Sequence, residues 1–216
     1  MRTLAAMLIP AALAITPVLG PSAWAQAPPG AAVPQEIGSW RLSCVTDRMT
    51  DRADCLLRHR EPIERAATAG GSSLVLEVAD RSGRLVPLVA ARDLTLEQVS
   101  RGVMALTGTA QLRFPPNRLF EMPCALEGRA LVCAPKLEDG ERAAAELAAA
   151  PAVLVRMVGY GAGTGMAEPV ELRLDATRDA LARYRAAVPE GSAPPPPSTG
   201  ATLPDLMQRL QRLMGN

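Results

Sequence analysis

Four cysteines are the residues whose type and spacing most directly indicate chemistry in this chain. They fall as two local pairs, Cys44 with Cys55 and Cys124 with Cys133. An even number of cysteines in an exported chain indicates disulfides, although four cysteines allow three connectivities. We favour the two local bonds because each closes a loop short enough to be a hairpin. Such a bond typically contributes about 3 kcal/mol to the free energy of unfolding.

The alternative chemistry for these cysteines is a zinc or redox site. No Cys-x-x-Cys motif occurs, and His59 is the single histidine, so a typical zinc ligand set is incomplete. His59 also lacks the accompanying motif that a Ser/His or Cys/His nucleophile would need. We therefore predict no metal, no cofactor and no catalytic residue, and we place His59 on the solvent face of a strand.

Glycine recurs at every second position over residues 159–165, at Gly159, Gly161, Gly163 and Gly165. This spacing matches neither the dinucleotide-binding nor the Walker motif. A phosphate-binding loop also leads into a helix, whereas residues 169–174 alternate as a strand does. We interpret the loop as a flexible strand connection. It is also where a cleft would lie under the alternative hypothesis of a periplasmic hydrolase or an enzyme-inhibitor domain.

Charged side chains concentrate near the first cysteine pair. An anionic partner could bind such a basic cluster, but acids are interleaved with it, which favours a charge-balanced, solvated face. The arginines are Arg48, Arg52, Arg58, Arg60 and Arg65, and the acids are Asp47, Asp51, Asp54, Glu61 and Glu64. Glycosidase chemistry needs two facing carboxylates, and nothing in the sequence pairs any two of these acids.

The N terminus predicts export. Arg2 precedes an uncharged apolar run over residues 4–19, and Ala23-Trp24-Ala25 has the small-x-small spacing that a signal peptidase recognises. The run is shorter than the roughly 20 residues of a spanning helix, so we predict a cleaved signal peptide over residues 1–25 and no integral membrane segment afterwards. Loss of Arg2 leaves 22 of the 23 basic side chains to balance 22 acidic ones, which argues against nucleic-acid binding.

Residues 36–190 are predicted to form one disulfide-bonded domain, after a disordered, proline-rich lead over residues 26–35. Period-two alternation between glycine-containing turns predicts about ten short strands. Residues 103–107 are predicted to pair with residues 110–114, and Pro87 indicates an edge position. Residues 137–149 predict one peripheral helix, and Asp175 is the predicted cap of a second. The pattern favours a mainly β, antiparallel sandwich or a related architecture.

The C-terminal part is predicted to be a separate element. A proline-rich linker over residues 191–201 leads into an amphipathic helix over residues 202–216. A helix this short is marginal alone, so it should dock on its own domain, on another protein or copy, or on a membrane surface. Its apolar stripe supplies our candidate partner-binding residues, which are Leu203, Leu206, Met207, Leu210, Leu213 and Met214.

Several short motifs follow one another in a recognisable order. They are Gly38-Ser39-Trp40-Arg41-Leu42-Ser43-Cys44, Cys55-Leu56-Leu57, Gly102-Val103, then Phe120, Cys124, Gly128 and Cys133-Ala134 ahead of a helix. In this order, over residues 37–187, the chain resembles the invasion associated locus B family of exported bacterial proteins. It departs from the family in a longer stretch between the last two cysteines and in Ala176-Thr177-Arg178, where Gly-Phe usually opens the last helix.

The resemblance implies an immunoglobulin-like β-sandwich with two intradomain disulfides, a periplasmic or outer-surface location in a Gram-negative bacterium, and no known catalytic residues. Together with the sequence patterns, it predicts a periplasmic or secreted, non-enzymatic binding module. The predicted partner is an unknown envelope protein, or a second copy of the chain, bound through the C-terminal helix.

Overall fold

The computed structural model describes residues 33–51, 53–66, 71–95, 108–158 and 168–188. The predicted signal peptide, the strand at residues 103–107, the glycine-rich loop at residues 159–165, the linker and the C-terminal helix lie outside the described residues. Neither described α-helix is long and apolar enough to cross a membrane.

Ten strands and two α-helices make up the described part of the chain. The strands are β1 Gln35–Ile37, β2 Trp40–Thr46, β3 Ala53–His59, β4 Leu74–Arg81, β5 Arg84–Ala91, β6 Thr109–Arg113, β7 Phe120–Glu127, β8 Ala130–Cys133, β9 Ala152–Val158 and β10 Val170–Arg173. A 3-10 turn at Leu137–Asp139 leads into α1, Gly140–Ala149, and α2 is Thr177–Ala187.

All described strand pairs are antiparallel and belong to one sheet, in the order β1-β2-β3-β4-β5-β8-β7-β6-β9-β10. The first half of β7 pairs with β6 and its second half pairs with β8. The mainly β, antiparallel prediction with two helices is therefore confirmed. The immunoglobulin-like sandwich is not confirmed, because these strands form one continuous curled sheet, a half-barrel.

The main core lies on one face of this curled sheet, and a second buried apolar cluster lies on the opposite face of β5 and β8. Trp40, Leu57, Phe114 and Phe120 are among its largest fully buried side chains, and each such side chain contributes about 1.5–3 kcal/mol on burial. The two helices cover part of the sheet. Helix α1 contributes Ala143 and Leu147 to the core, whereas α2 packs near β1, β2 and β3 and contributes Ala180 and Tyr184.

Both predicted disulfides are confirmed. Cys44 lies directly opposite Cys55 across β2 and β3, with a Cα–Cα distance of 4.0 Å. Cys124 lies opposite Cys133 across β7 and β8, with a Cα–Cα distance of 3.9 Å. Each bond therefore joins the two strands of one local hairpin.

Two local predictions need correction. Asp175 does not cap α2: the residue before the helix is Ala176, with a left-handed φ of 57°, and Thr177 instead donates its hydroxyl hydrogen bond to the Leu174 carbonyl. Pro87 lies on an interior strand, since β5 pairs with both β4 and β8. However, β8 pairs only with Val89 to Ala91, so Pro87 occupies a stretch of β5 without a β8 partner.

Candidate functional site

The first feature that could form a site is a junction between distant parts of the chain, which we call the seam. Here the β1–β2 turn and the end of β3 meet residues 173–177. The Ser39 amide donates to the Asp175 carbonyl at 3.1 Å, and the Asp175 amide donates to Ser39 Oγ at 3.0 Å. Gly38 permits this approach, because it has a φ of +56° and the Asp175 backbone lies against it.

His59 lies at the seam and is only 3% exposed, so the prediction of a solvent-facing His59 is wrong. It shares the inward face of β3 with Cys55 and Leu57, both buried. The alternation of side chains along β3 therefore predicts that His59 is buried. The Trp40 ring packs against it edge-on, with ring centroids 5.6 Å apart.

Both ring nitrogens of His59 have backbone partners. Nε2 lies 2.8 Å from the Arg173 carbonyl, which can only accept, so Nε2 carries the proton and donates. Nδ1 lies 3.0 Å from the Glu61 carbonyl oxygen and 3.1 Å from the Glu61 amide nitrogen, and with the proton on Nε2 it accepts from that amide. Trp40 Nε1 completes the seam by donating to Thr177 Oγ1 at 3.0 Å. His59 is thus fully engaged in joining β3 to β10.

A cleft of about 600 Å³, here the seam cleft, opens beside these contacts. Its three arginines are engaged with acids: Arg41 and Arg60 pair with Glu36 at 2.8 and 3.3 Å, and Arg173 pairs with Asp175 at 3.6 Å. The hydrogen bond from Arg41 and the charge of Arg60 lower the pKa of Glu36. The lining residues are Gly38, Ser39, Arg41, His59, Arg60, Glu61, Glu171, Arg173 and Asp175.

Glu77 is another buried polar side chain of the described residues, and it too serves the fold. Arg92 binds both Glu77 carboxylate oxygens, with three contacts between 2.7 and 3.0 Å. Burial alone would lower the pKa of Arg92, but its hydrogen bonds and attraction to Glu77 outweigh burial, and the pKa is raised. Arg92 therefore holds the Glu77 carboxylate through both oxygens, and this carboxylate is not available to a ligand.

A second cleft, also about 600 Å³, is the cationic cleft. It lies between the loop before β7 and the residues that lead into α1. Arg113 braces the loop by donating to the Asn117 and Pro116 carbonyls at 2.8 and 3.3 Å. The lining residues are Arg113, Pro116, Asn117, Arg118, Leu119, Glu121, Lys136 and Asp139.

The cations of this cleft differ from those of the seam. Arg118 and Lys136 are exposed, and within the part of the chain that the structure describes neither has an ion-pair partner. Asp139 is already neutralised by Arg142 at 3.0 Å. Glu121 is the remaining acid of the lining, so the cleft carries excess positive charge.

An apolar recess of about 220 Å³ adjoins the cationic cleft and shares Arg113 and Leu119 with it. Its lining residues are Gln111, Leu112, Arg113, Leu119, Leu154, Arg156 and Pro169. Arg156 donates to Gln111 Oε1 at 2.6 Å, so their polar ends satisfy each other. Leu119 is 46% exposed, and Leu137, which follows Lys136, is 77% exposed.

The sequence-predicted residues are therefore dispersed. The four cysteines lie within two hairpins, while the C-terminal stripe and the glycine-rich loop of the hydrolase hypothesis lie outside the described residues. Sequence reasoning missed Arg118 and Lys136, because they are single cations on separate segments. Their proximity follows from the β7–β8 hairpin, which brings the residues after β8 back beside the start of β7.

Comparison with known proteins adds one finding. No family model and no curated protein sequence matches the chain. Among solved structures, the chain is similar to the crystal structure of invasion associated protein B from Bartonella henselae, with 13% sequence identity and a TM-score of 0.45. The match covers 72% of this chain and 96% of that one.

Proposed function

We propose that the chain is an exported, disulfide-bonded protein of the bacterial envelope, periplasmic or secreted, and that it is a non-enzymatic binding module acting through the cationic cleft. Two cross-strand disulfides support export, because disulfides persist mainly in oxidising compartments. The signal-peptide pattern before Gln26 supports the same location.

The observation that supports the binding function is a difference between the two clefts in whether their charged side chains have partners within the fold. At the seam, His59 is hydrogen-bonded to backbone groups and Trp40 to a hydroxyl group. The arginines there form ion pairs with acidic side chains. In the cationic cleft, Arg118 and Lys136 line a concave surface beside exposed Leu119, and neither has an ion-pair partner among the described residues. Cations that do not stabilise the fold, next to exposed apolar surface, are typical of a binding site.

Site-specific photo-crosslinking in intact cells tests this function. A photoreactive amino acid replaces Asn117, which is exposed in the cleft, or Thr50, which is exposed on the loop after β2. We expect light-dependent adducts from position 117 and far fewer from position 50. The adducts should disappear when Arg118→Glu and Lys136→Glu are introduced together.

The matched control is Arg48→Glu with Arg65→Glu, which makes the same change in net charge on exposed arginines away from the cleft. Adducts that survive both double variants, or no adducts from position 117, would contradict the proposal. The variants Leu206→Asp and Leu210→Asp separately test the predicted C-terminal stripe. If they abolish the adducts instead, the contact belongs to the tail.

A further inference from the structure

The cationic cleft and the apolar recess are joined through shared residues. Arg113 and Leu119 line both cavities, so one ligand can contact both. Such a ligand must carry negative charge at one point and an apolar group a short distance away, because charged and apolar surfaces bind their chemical complements.

The charge of the cleft defines the first requirement. The lining of the cleft contains three cations, Arg113, Arg118 and Lys136. It contains two acids, and Asp139 is already paired with Arg142, so Glu121 is the one acid that is not paired with an arginine. Because Arg113 is held by two loop carbonyls, Arg118 and Lys136 are the cations free to move toward a ligand. A guanidinium binds a carboxylate through two parallel hydrogen bonds, whereas an ammonium acts as a point charge.

The size of the recess defines the second requirement. Its volume of about 220 Å³ is below the roughly 300–1,000 Å³ of pockets that enclose a small-molecule ligand. It suits one or two aliphatic side chains better than the long chains of a membrane lipid. Three of its lining residues, Leu119, Leu154 and Pro169, present apolar surface, and buried Leu112 belongs to the core beneath them.

A polar amide in the cleft favours a peptide. Asn117 lines the cationic cleft, and its side-chain amide has no hydrogen-bond partner among the described residues. An amide side chain can donate to and accept from a peptide backbone at once. A peptide backbone presents one such donor and one such acceptor at each non-proline residue.

Resting on the proposed function, we infer that the cationic cleft binds an acidic peptide segment of another envelope protein. Carboxylates of the peptide contact Arg118 and Lys136, its backbone contacts Asn117, and one aliphatic side chain enters the recess at Leu119. The chain's own C-terminal stripe is a poorer occupant, because Arg209 and Arg212 flank it and Asp205 is its one acid.

Fluorescence anisotropy with the oxidised mature protein tests this inference. The probe is an eight-residue peptide that alternates glutamate with leucine and carries an uncharged dye. We expect saturable binding that weakens at least tenfold with Arg118→Glu and several-fold with Asn117→Ala. Arg48→Glu should leave it unchanged. Raising NaCl from low to physiological concentration should also weaken binding, because exposed charges are screened.

Two altered peptides separate the contacts. Replacing glutamate by glutamine should abolish binding, and replacing leucine by alanine should weaken it about tenfold. Leu119→Ala should weaken binding of the leucine peptide but have little further effect on the alanine peptide, because both changes remove the same contact. Independent effects of the two changes would contradict the recess assignment.

Vesicles provide the competing outcome. If phosphatidylglycerol vesicles bind the protein through Arg118 and the glutamate peptide does not bind, the peptide inference is wrong. The proposed function would survive, provided that cleft-dependent adducts still form in cells. Equal binding of the glutamate and glutamine peptides would also overturn the inference.

Discussion

The seam cleft and the cationic cleft each have a volume of about 600 Å³, yet their polar groups have different uses. At the seam, polar atoms join segments that are far apart in the sequence, such as His59 with Arg173. In the cationic cleft, the side chains of Arg118 and Lys136 have no ion-pair or hydrogen-bond partner among the described residues. Cavity volume alone therefore does not distinguish a structural junction from a binding site. The partners of the lining groups do.

The largest expected effect is at Gly38. An added Cβ would lie 2.3 Å from the Asp175 carbonyl oxygen and 2.7 Å from Ala176 Cβ, in a backbone with φ of +56°. We expect Gly38→Ala to lower the free energy of unfolding by about 3–4 kcal/mol, from backbone strain and overpacking combined. Urea unfolding followed by the fluorescence of Trp40 measures the change.

Gly83→Ala is the matched control, because Gly83 also has a positive φ, +81°, but no atom lies within 4 Å of an added Cβ. It should cost only the strain, about 1–2 kcal/mol. If both substitutions lowered the free energy of unfolding equally, the close packing of Asp175 against Gly38 would add no cost beyond backbone strain.

The next effect is at His59. His59→Ala removes the donor to the Arg173 carbonyl and opens a cavity beside Trp40, so we expect the free energy of unfolding to fall by about 3 kcal/mol. Arg58→Ala, one residue earlier on the opposite face of β3, should cost less than about 0.5 kcal/mol. An unchanged urea midpoint for His59→Ala would show that the seam hydrogen bonds are dispensable.

A smaller effect is expected from Tyr184 at alkaline pH. Burial raises the pKa of this phenol from 10.0, and Asp80 and Asp54 raise it further. The folded state therefore favours the protonated phenol. This contribution is complete below pH 10 and is lost as the pH rises through the folded pKa. Tyr184→Phe should flatten the alkaline fall in unfolding free energy, and parallel pH profiles for the two proteins would contradict the assignment.

The smallest expected effect on stability is in the cationic cleft. Arg118→Glu with Lys136→Glu should change the unfolding free energy by less than about 0.5 kcal/mol, because neither side chain has a partner in the described fold. Nearby Arg142 is the contrast. It lies 3.6 Å from the Phe120 ring centroid and binds Asp139 and Glu146, so Arg142→Ala should cost about 1–2 kcal/mol. Similar costs for the double variant and for Arg142→Ala would contradict the claim that Arg118 and Lys136 do not stabilise the fold.

Local features of the fold could be predicted from the sequence. The cysteine spacing, the turn at Gly83 and the helix-forming run after Pro135 each concern neighbouring residues, and the structure confirms the hairpins and α1. The pairings of β5 with β8 and of β6 with β9 join strands that no short turn connects. For this reason the sequence did not distinguish one curled sheet from a sandwich.

The same limit applies to one predicted hairpin. Residues 110–114 were expected to pair with residues 103–107, which lie outside the described residues. In the described part of the chain, β6 pairs with β7 on one side and with β9 on the other. The cationic cleft also could not be predicted from the sequence, because Arg118 and Lys136 become neighbours only after β7 and β8 have paired. His59 is different: alternation along β3 indicated its burial, and its polar type obscured that signal.

The seam also determines the order in which the molecule can be completed. Trp40 and Thr177 are 137 residues apart, and His59 and Arg173 are 114 residues apart. A chain that emerges with its N terminus first can close the Cys44–Cys55 hairpin early, since its loop is short. Trp40 and His59 cannot form their hydrogen bonds to Thr177 and Arg173 until that later part of the chain has been synthesised. The nascent chain therefore leaves Trp40 and His59 without these hydrogen-bond partners for most of its synthesis, and a chain truncated before Arg173 would lack both partners permanently.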